Sequence, residues 1–149
     1  MYLQTVPAIA SDTVECVRLR GQTRENAVSE ARLRELGVTV ENWRADIESG
    51  VLPGYVCRDG AKLVGYCFGD ARSGELVVLA LLPDYEGLGL GRRLLDLVVK
   101  QLRGLGHQRL FLGCSADPSV RSYGFYRHLG WRSTGKPDRL GDEELELVD

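Results

Sequence analysis

The spacing of apolar positions is helical over the first part of the chain. After one short alternating stretch, apolar residues recur three and four positions apart among many charged ones. Serine, aspartate and threonine stand where helix caps are expected, and Gly37 stands where a helix is expected to end. The elements predicted here are a strand at Leu3–Ala8, a helix from a cap at Ser11 or Asp12 to about Arg20, a helix over 25–36, and a turn around Trp43 and Ile47 capped by Thr39.

The pattern changes to β-strand spacing in the middle of the chain. Asp59 and Gly60 lie between two runs rich in β-formers, which is a strong short-range signal for a hairpin. The stretch GELVVLALL at 74–82 is almost entirely apolar and stops at Pro83. Such a run is typical of a central strand that is covered on both faces.

The last part of the chain predicts two further helices and three strands. A helix from Gly89 to about Arg103 carries leucines and valines on one face and charged residues elsewhere. The other predicted elements are a buried strand at 109–115, a short helix within 119–131 that closes at Gly130, and two terminal strands at 131–135 and 143–149 joined by a polar loop.

Bulk properties limit the class of protein. A chain of 149 residues has the size of one domain, and it shows no internal repeat or linker composition, so residues 1–149 are expected to form a single domain. The formal charge of -2 gives no general attraction to nucleic acid or to an anionic membrane. No apolar run approaches the roughly 18 residues of a membrane span.

The four cysteines favour an intracellular setting. They show neither CxxC pairing nor the spacing of zinc ligands, so we expect reduced, buried thiols and no metal. The first ten residues lack the basic region and long apolar core of a secretion signal. These features together predict a cytoplasmic protein.

The stretch LLPDYEGLGLGRRL, at 81–94, has the composition of an anion site. A dinucleotide-binding GxGxxG is excluded by Arg92 and Leu94, and a Walker A loop is excluded because no GK[ST] follows. A loop that uses glycine only to turn stays open. Alternate glycines before a helix N-terminus also let backbone N–H groups converge on phosphate. A bound pyrophosphate would explain why Arg92 and Arg93 stand in a first helical turn, where acids are normally favoured.

Two motifs together resemble a known family. PDYEGLGLG at Pro83–Gly91 resembles the acetyl-coenzyme A loop of the GNAT superfamily of N-acetyltransferases, and VRSYGFYRHLGW at Val120–Trp131 is similar to its second signature. The order of predicted elements also matches. The resemblance implies an α/β (α+β) fold with a mixed, mostly antiparallel sheet of about seven strands, a parallel splayed central pair, and about four flanking helices.

Three residues depart from the family pattern. Glu86 stands where Gln or Arg is usual, Leu88 stands where a basic residue is common, and Ser119 stands where many members have Asn. A carboxylate beside pyrophosphate is unfavourable, so we expect Glu86 to point away and to contribute only its backbone N–H. Arg92 and Arg93 are expected to supply the missing positive charge.

The resemblance assigns the coenzyme contacts mainly to backbone groups. It implies that the amide of Leu79 polarises the thioester carbonyl of acetyl-coenzyme A and that the backbone of Leu81 holds the pantetheine arm. The residues that it places around the pyrophosphate are Glu86, Gly87, Leu88, Gly89, Leu90, Gly91 and Arg92.

The resemblance also implies two catalytic side chains. Tyr126 matches the tyrosine that protonates the leaving thiolate, with a buried structural tyrosine as the alternative and Tyr123 as a competing hydroxyl. Glu75 matches a glutamate that takes the proton of the amine, directly or through water, or it is only a solvated strand end. Four residues separate Glu75 from Leu79, so both are expected on one side of the strand.

Other chemically capable residues are expected to play structural roles. His107 and His128 are predicted to be solvated, and Cys114, near the expected position of the coenzyme thiol, is predicted to be a buried thiol rather than an acyl relay.

The acceptor is implied only as a class, a primary amine of a small molecule or peptide, with the segment Gly21–Gly54 as its wall. Trp43 and Tyr55 either line that pocket or belong to the core.

A homodimer is compatible with the resemblance. The alternative function is a non-catalytic acetyl-coenzyme A sensor or interaction module, and an NAD-dependent oxidoreductase lacks its glycine pattern.

Overall fold

The computed structural model describes residues 1–148, which form seven strands and five α-helices. The strands are β1 (Leu3–Pro7), β2 (Gly54–Asp59), β3 (Lys62–Gly69), β4 (Leu76–Leu81), β5 (Arg109–Cys114), β6 (Arg132–Pro137) and β7 (Glu143–Val148). The helices are α1 (Thr13–Arg20), α2 (Glu30–Glu35), α3 (Val40–Ser49), α4 (Leu90–Gly104) and α5 (Arg121–His128). No helix among these residues is long and apolar enough to span a membrane.

The strands form two antiparallel sheets that meet at a parallel junction. The first sheet has the order β1-β2-β3-β4, and the second has the order β5-β7-β6. A single parallel bridge between Glu75 and Phe111 joins them, and there the N–H of Phe111 donates to the carbonyl of Gly74 at 3.3 Å. Beyond this bridge β4 and β5 diverge. The predicted fold class, with its splayed parallel pair, is confirmed.

The helices cover the two faces of this sheet. On one face α4 and α5 pack against β3, β4 and β5 around fully buried residues such as Leu94, Val98 and Leu110. On the other face α1 and α3 pack around Trp43 and Phe68, whose ring centroids are 5.4 Å apart. The predicted central strand is therefore covered on both faces.

The charged segment between residues 25 and 49 differs from its prediction. The helix expected over 25–36 begins only at Glu30, because the Ser29 hydroxyl accepts the N–H of Arg32 and caps the helix there. The turn expected after Thr39 is a complete helix, α3, with Thr39 and Asn42 bonding reciprocally at its start. That helix raises the number from about four to five.

A register shift in the central strand decides which way its side chains face. Phe68 lies opposite Val78 while Gly69 lies opposite Leu76, so Val77 is an extra residue in β4. Leu76 and Leu79 consequently point into the same core, beneath α4. Glu75, the neighbour of Leu76, lies on the opposite face, so the prediction that Glu75 and Leu79 share one side of the strand is wrong.

Candidate functional site

A cavity of about 550 Å³ lies where β4 and β5 diverge. Its walls are β4, the glycine loop before α4, the end of β5, the start of α5 and the connection between α1 and α2. The cavity therefore brings together the two sequence motifs, which lie about 30 residues apart in the chain, and a segment from the first part of the chain.

Backbone amides of β4 face this gap. The N–H of Leu82 donates to the carbonyl of Val64 in β3 at 2.9 Å, and hydrogen-bonded pairs alternate along an antiparallel ladder. Ala80 therefore also bonds to β3, whereas the amides of Leu79 and Leu81 point away from β3 toward the diverging β5. Their leucine side chains are partly buried against the core.

The glycine loop leads into the N-terminus of α4 and leaves the first amides of that helix without helical partners. Gly87 and Gly89 have φ of 77° and 81°, a left-handed conformation that favours glycine, and a Cβ at either position would meet no atom within 4 Å. The first helical bond runs from the N–H of Arg93 to the carbonyl of Gly89. The N–H groups of Leu90, Gly91 and Arg92 therefore have no partner within the helix, and the helix dipole adds partial positive charge there.

Glu86 differs from its prediction in both respects. Its backbone N–H donates to the carbonyl of Pro83 at 3.2 Å and so belongs to a short 3₁₀ turn. Glu86 lines the cavity, and its carboxylate accepts hydrogen bonds from the guanidinium groups of Arg24 and Arg121, which line the same cavity. The hydrogen bonds from Arg24 are the main reason that the pKa of Glu86 is lowered.

The other side chains of the loop contribute unequally to the cavity. The side chain of Leu88 is exposed and is absent from the walls of the cavity. Arg92 lines the cavity, with its guanidinium 3.9 Å from the carboxylate of Asp96. Arg93 does not line this cavity, but Arg92 and Arg93 both border a smaller cavity of about 230 Å³ beside α4.

Tyr126 lines the cavity and Tyr123 does not. The Tyr126 ring packs edge-on against Phe125 and Trp131, at centroid distances of 5.0 and 6.0 Å. Burial raises the pKa of its hydroxyl, which therefore stays protonated at neutral pH and can donate a hydrogen. The guanidinium of Arg127 covers the Tyr123 ring at 3.6 Å.

Glu75 lies at the closed end of the gap, beside the bridge that joins the two sheets. Its side chain is largely buried and is not part of the cavity wall. Burial raises the pKa of Glu75, while the guanidinium of Arg139, 3.6 Å away, opposes that rise. The position is a partly desolvated carboxylate on the sheet face opposite α4.

Most of the remaining candidates are structural. Cys114 lines the cavity, but burial raises the pKa of its thiol and disfavours the reactive thiolate. The prediction that His107 is solvated is wrong, because its ring is half-buried and its Nε2 hydrogen-bonds with the carbonyl of Ala71, whereas His128 is exposed as predicted. The Ser119 hydroxyl donates to Asp117 at 2.8 Å in a turn before α5.

Neither aromatic candidate for the acceptor pocket lines the cavity. Trp43 belongs to the core beneath α1 and α3, and Tyr55 packs against the core beneath α4. The cavity instead includes residues that the sequence did not single out as site residues, among them Arg24, Arg121, Ser122 and Asp142. Arg121 and Ser122 lie within the second motif at Val120–Trp131, whereas Arg24 and Asp142 come from separate segments that only the fold brings to the cavity.

A pair of diverging parallel strands with a glycine loop at a helix N-terminus is the arrangement of acyltransferases that use an acyl-coenzyme A thioester. A profile of the Acetyltransferase (GNAT) family matches residues 15–131. The chain belongs to this family.

Curated relatives share about half of this chain. An uncharacterised N-acetyltransferase, ycf52-like, of Prochlorococcus marinus is 36% identical over 81 residues, which is 52% of this chain and 43% of the relative. A mycothiol acetyltransferase of Geodermatophilus obscurus is 40% identical over 95 residues, covering 52% of this chain and 31% of the relative. This chain thus spans less than half the length of either relative.

Solved structures share the fold over the whole chain at low sequence identity. The PaiA N-acetyltransferase of Thermoplasma acidophilum, in complex with coenzyme A, aligns with a TM-score of 0.82 and 18% identity over 100% of both chains. The ribosomal-protein-S18-alanine N-acetyltransferase of Escherichia coli aligns with a TM-score of 0.71 and 17% identity, covering 98% of this chain and 93% of the other.

Proposed function

We propose that the protein is an N-acetyltransferase that transfers acetyl from acetyl-coenzyme A to a primary amine of a small molecule or peptide, by direct attack in a ternary complex. The observation that carries this proposal is a single cavity containing two sets of unpaired backbone amides. One set lies at the start of α4, and the other consists of the outward-facing amides of Leu79 and Leu81.

The backbone supplies the coenzyme contacts in this proposal. The glycine loop, from Gly87 to Arg92, binds the pyrophosphate with amides that have no helical partner. The amide of Leu81 holds the pantetheine arm. The amide of Leu79 donates to the thioester carbonyl oxygen, and this hydrogen bond strengthens as negative charge develops on that oxygen.

Tyr126 acts as the proton donor and Glu75 as the proton acceptor in this proposal. Tyr126 lines the cavity with a protonated hydroxyl and donates its proton to the leaving thiolate. An alkyl amine, with a pKa of about 10, is mostly protonated at neutral pH and must lose a proton before it attacks. Glu75 accepts that proton through water, because its carboxylate is outside the cavity wall.

Calorimetric titration with acetyl-coenzyme A, with NAD as the control ligand, tests the binding half of the proposal. Gly89→Glu places a carboxylate at the pyrophosphate site and should abolish binding. Gly37→Glu is the matched control, since Gly37 also has a left-handed φ, of 86°, and open space around a Cβ. It should retain binding, and absence of binding by the unaltered protein would overturn the proposal.

Turnover separates an enzyme from a binding module. Acetyl transfer is measured directly by screening primary amines and detecting the free coenzyme A thiol that the reaction releases. If Tyr126→Phe and Glu75→Gln both leave turnover on the best acceptor unchanged, the assigned roles are wrong. Coenzyme binding without turnover on any amine class favours a non-catalytic sensor.

A further inference from the structure

Three charged residues from distant parts of the chain meet in the wall of the cavity. The Glu86 carboxylate accepts hydrogen bonds from Nε and Nη2 of Arg24 at 3.0 and 3.2 Å, and from Nη1 of Arg121 at 3.0 Å. Arg24 lies between α1 and α2, and Arg121 is the first residue of α5. Glu86, in the glycine loop, thus binds two arginines that come from distant parts of the sequence.

The burial of the three side chains indicates which of them faces outward. Glu86 is 17% exposed, whereas Arg24 and Arg121 are 52% and 48% exposed. All three residues line the cavity. The carboxylate is therefore covered by the guanidinium groups, and each guanidinium has five N–H donors of which only some are used by Glu86.

From this geometry we infer that Glu86 is a positioning residue that presents Arg24 and Arg121 to a phosphate group of the coenzyme. The inference rests on the proposed function, since it names how this chain binds the coenzyme at that same site. A planar guanidinium fixed by one carboxylate loses little further freedom when it binds a second anion. Arg24 and Arg121 then supply the positive charge that Glu86, at a position where Gln or Arg is usual in the family, does not carry.

A second acid, Glu25, makes the inference testable, because removing its charge and removing that of Glu86 should change coenzyme affinity in opposite directions. Its carboxylate lies 2.6 Å from Nη2 of Arg24 and accepts the backbone N–H of Arg121 at 3.2 Å. Glu25 therefore contacts the same arginines but belongs to the connection between α1 and α2 rather than to the glycine loop. Removing its charge deletes a competing anion, whereas removing the charge of Glu86 also releases both arginines from the loop.

The test is calorimetric titration of the full chain with coenzyme A and with dephospho-coenzyme A. We expect Glu86→Gln to weaken coenzyme A binding roughly tenfold, since hydrogen bonds to charged groups are the interactions lost. Glu25→Gln should tighten binding. If Glu86 were simply an unfavourable acid beside phosphate, Glu86→Gln would tighten binding as well, and that result would overturn the inference.

A second background isolates the role of the arginines. In the double variant Arg24→Met, Arg121→Met, the change Glu86→Gln should tighten binding, because only repulsion of phosphate is then removed. A tenfold loss that persists in this background would overturn the inference. Glu35→Gln serves as the control for a lost surface ion pair. The exposed carboxylate of Glu35 lies 2.9 Å from the guanidinium of Arg32, and neither residue lines the cavity.

The two ligands identify the phosphate group that the arginines bind. Equal losses for coenzyme A and dephospho-coenzyme A place the arginines on the pyrophosphate, and a loss only for coenzyme A places them on the 3′-phosphate. Either result supports the inference. Failure of the unaltered protein to bind coenzyme A would overturn both the inference and the proposed function, whereas tighter binding by Glu86→Gln would overturn the inference alone.

Discussion

The guanidinium of Arg139 lies 3.6 Å from the carboxylate of Glu75 and opposes the effect of burial on its pKa. Burial dominates, so Glu75 titrates above its ordinary value of 4.5. The native protein then binds this proton more tightly than the unfolded chain does. The contribution of Glu75 to stability is complete below the unfolded pKa and is lost as pH rises through the folded pKa.

Arg139→Gln should raise the pKa of Glu75 further, because it removes the positive charge that lowers it. The measurement is a pH titration of the Glu75 carboxyl carbon by NMR, which needs no acceptor. Asp70, Asp138 and Glu144 also face Glu75 and keep its pKa raised. A titration in Arg139→Gln that is unchanged or shifted to lower pH would contradict this account.

Tyr126→Phe should lower turnover about 100-fold with little change in coenzyme affinity, because it removes a proton donor and keeps the packed ring. Tyr123→Phe is the matched control, since it deletes a hydroxyl from the same helix without touching the cavity. Turnover numbers for both variants, with coenzyme affinities measured by calorimetry, check the expectation. Equal losses in the two variants would show a helix defect instead.

Acetyl-coenzyme A should change the backbone amide signals of Leu79 and Leu81 and slow their hydrogen exchange. Both amides face the gap between β4 and β5, so a ligand there gives them an acceptor. The amide of Ala80, which bonds to β3, is the internal control and should change little. Protection of Ala80 alone would place the ligand elsewhere.

Gly54→Ala should destabilise the fold by about 1–3 kcal/mol, as overpacked cores do. A Cβ at Gly54 would lie 2.2 Å from Cδ1 of Phe68 and 2.5 Å from the carbonyl oxygen of Cys67. Gly104→Ala provides the contrast: it has no neighbour within 4 Å at the end of α4 and should stabilise by about 0.5–1 kcal/mol. Urea unfolding of both variants checks the two signs.

The sequence predicted most closely the elements whose signal is local. The leucine-rich helix was expected from Gly89 to about Arg103 and runs over Leu90–Gly104, because its apolar face alone defines it. The hairpin predicted at Asp59 and Gly60 is present, with β2 and β3 paired antiparallel on either side of it. The segment from 25 to 49 was harder because its charges hide the helical period, and there the caps at Ser29 and Thr39 set the boundaries.

The errors within the candidate site came from features with no local signature. The extra residue Val77 in β4 turned Glu75 to the face opposite Leu79, and the register between two strands decides such a bulge. Glu86 pairs with Arg24 across 62 residues of sequence, so neither residue predicts the other. The glycine loop and Tyr126, which carry their own motifs, were found from sequence and line the cavity.

The single bridge between Glu75 and Phe111 also bears on how quickly a ligand can enter. Strand pairing already ends at that point, so the amides of Leu79 and Leu81 have no bond to β5 that must first break. Entry of an extended molecule is then an encounter with a preformed slot rather than the unzipping of a sheet. We therefore expect diffusion and the charges that line the cavity to limit the association rate, and contacts inside the gap to determine how long the complex lasts.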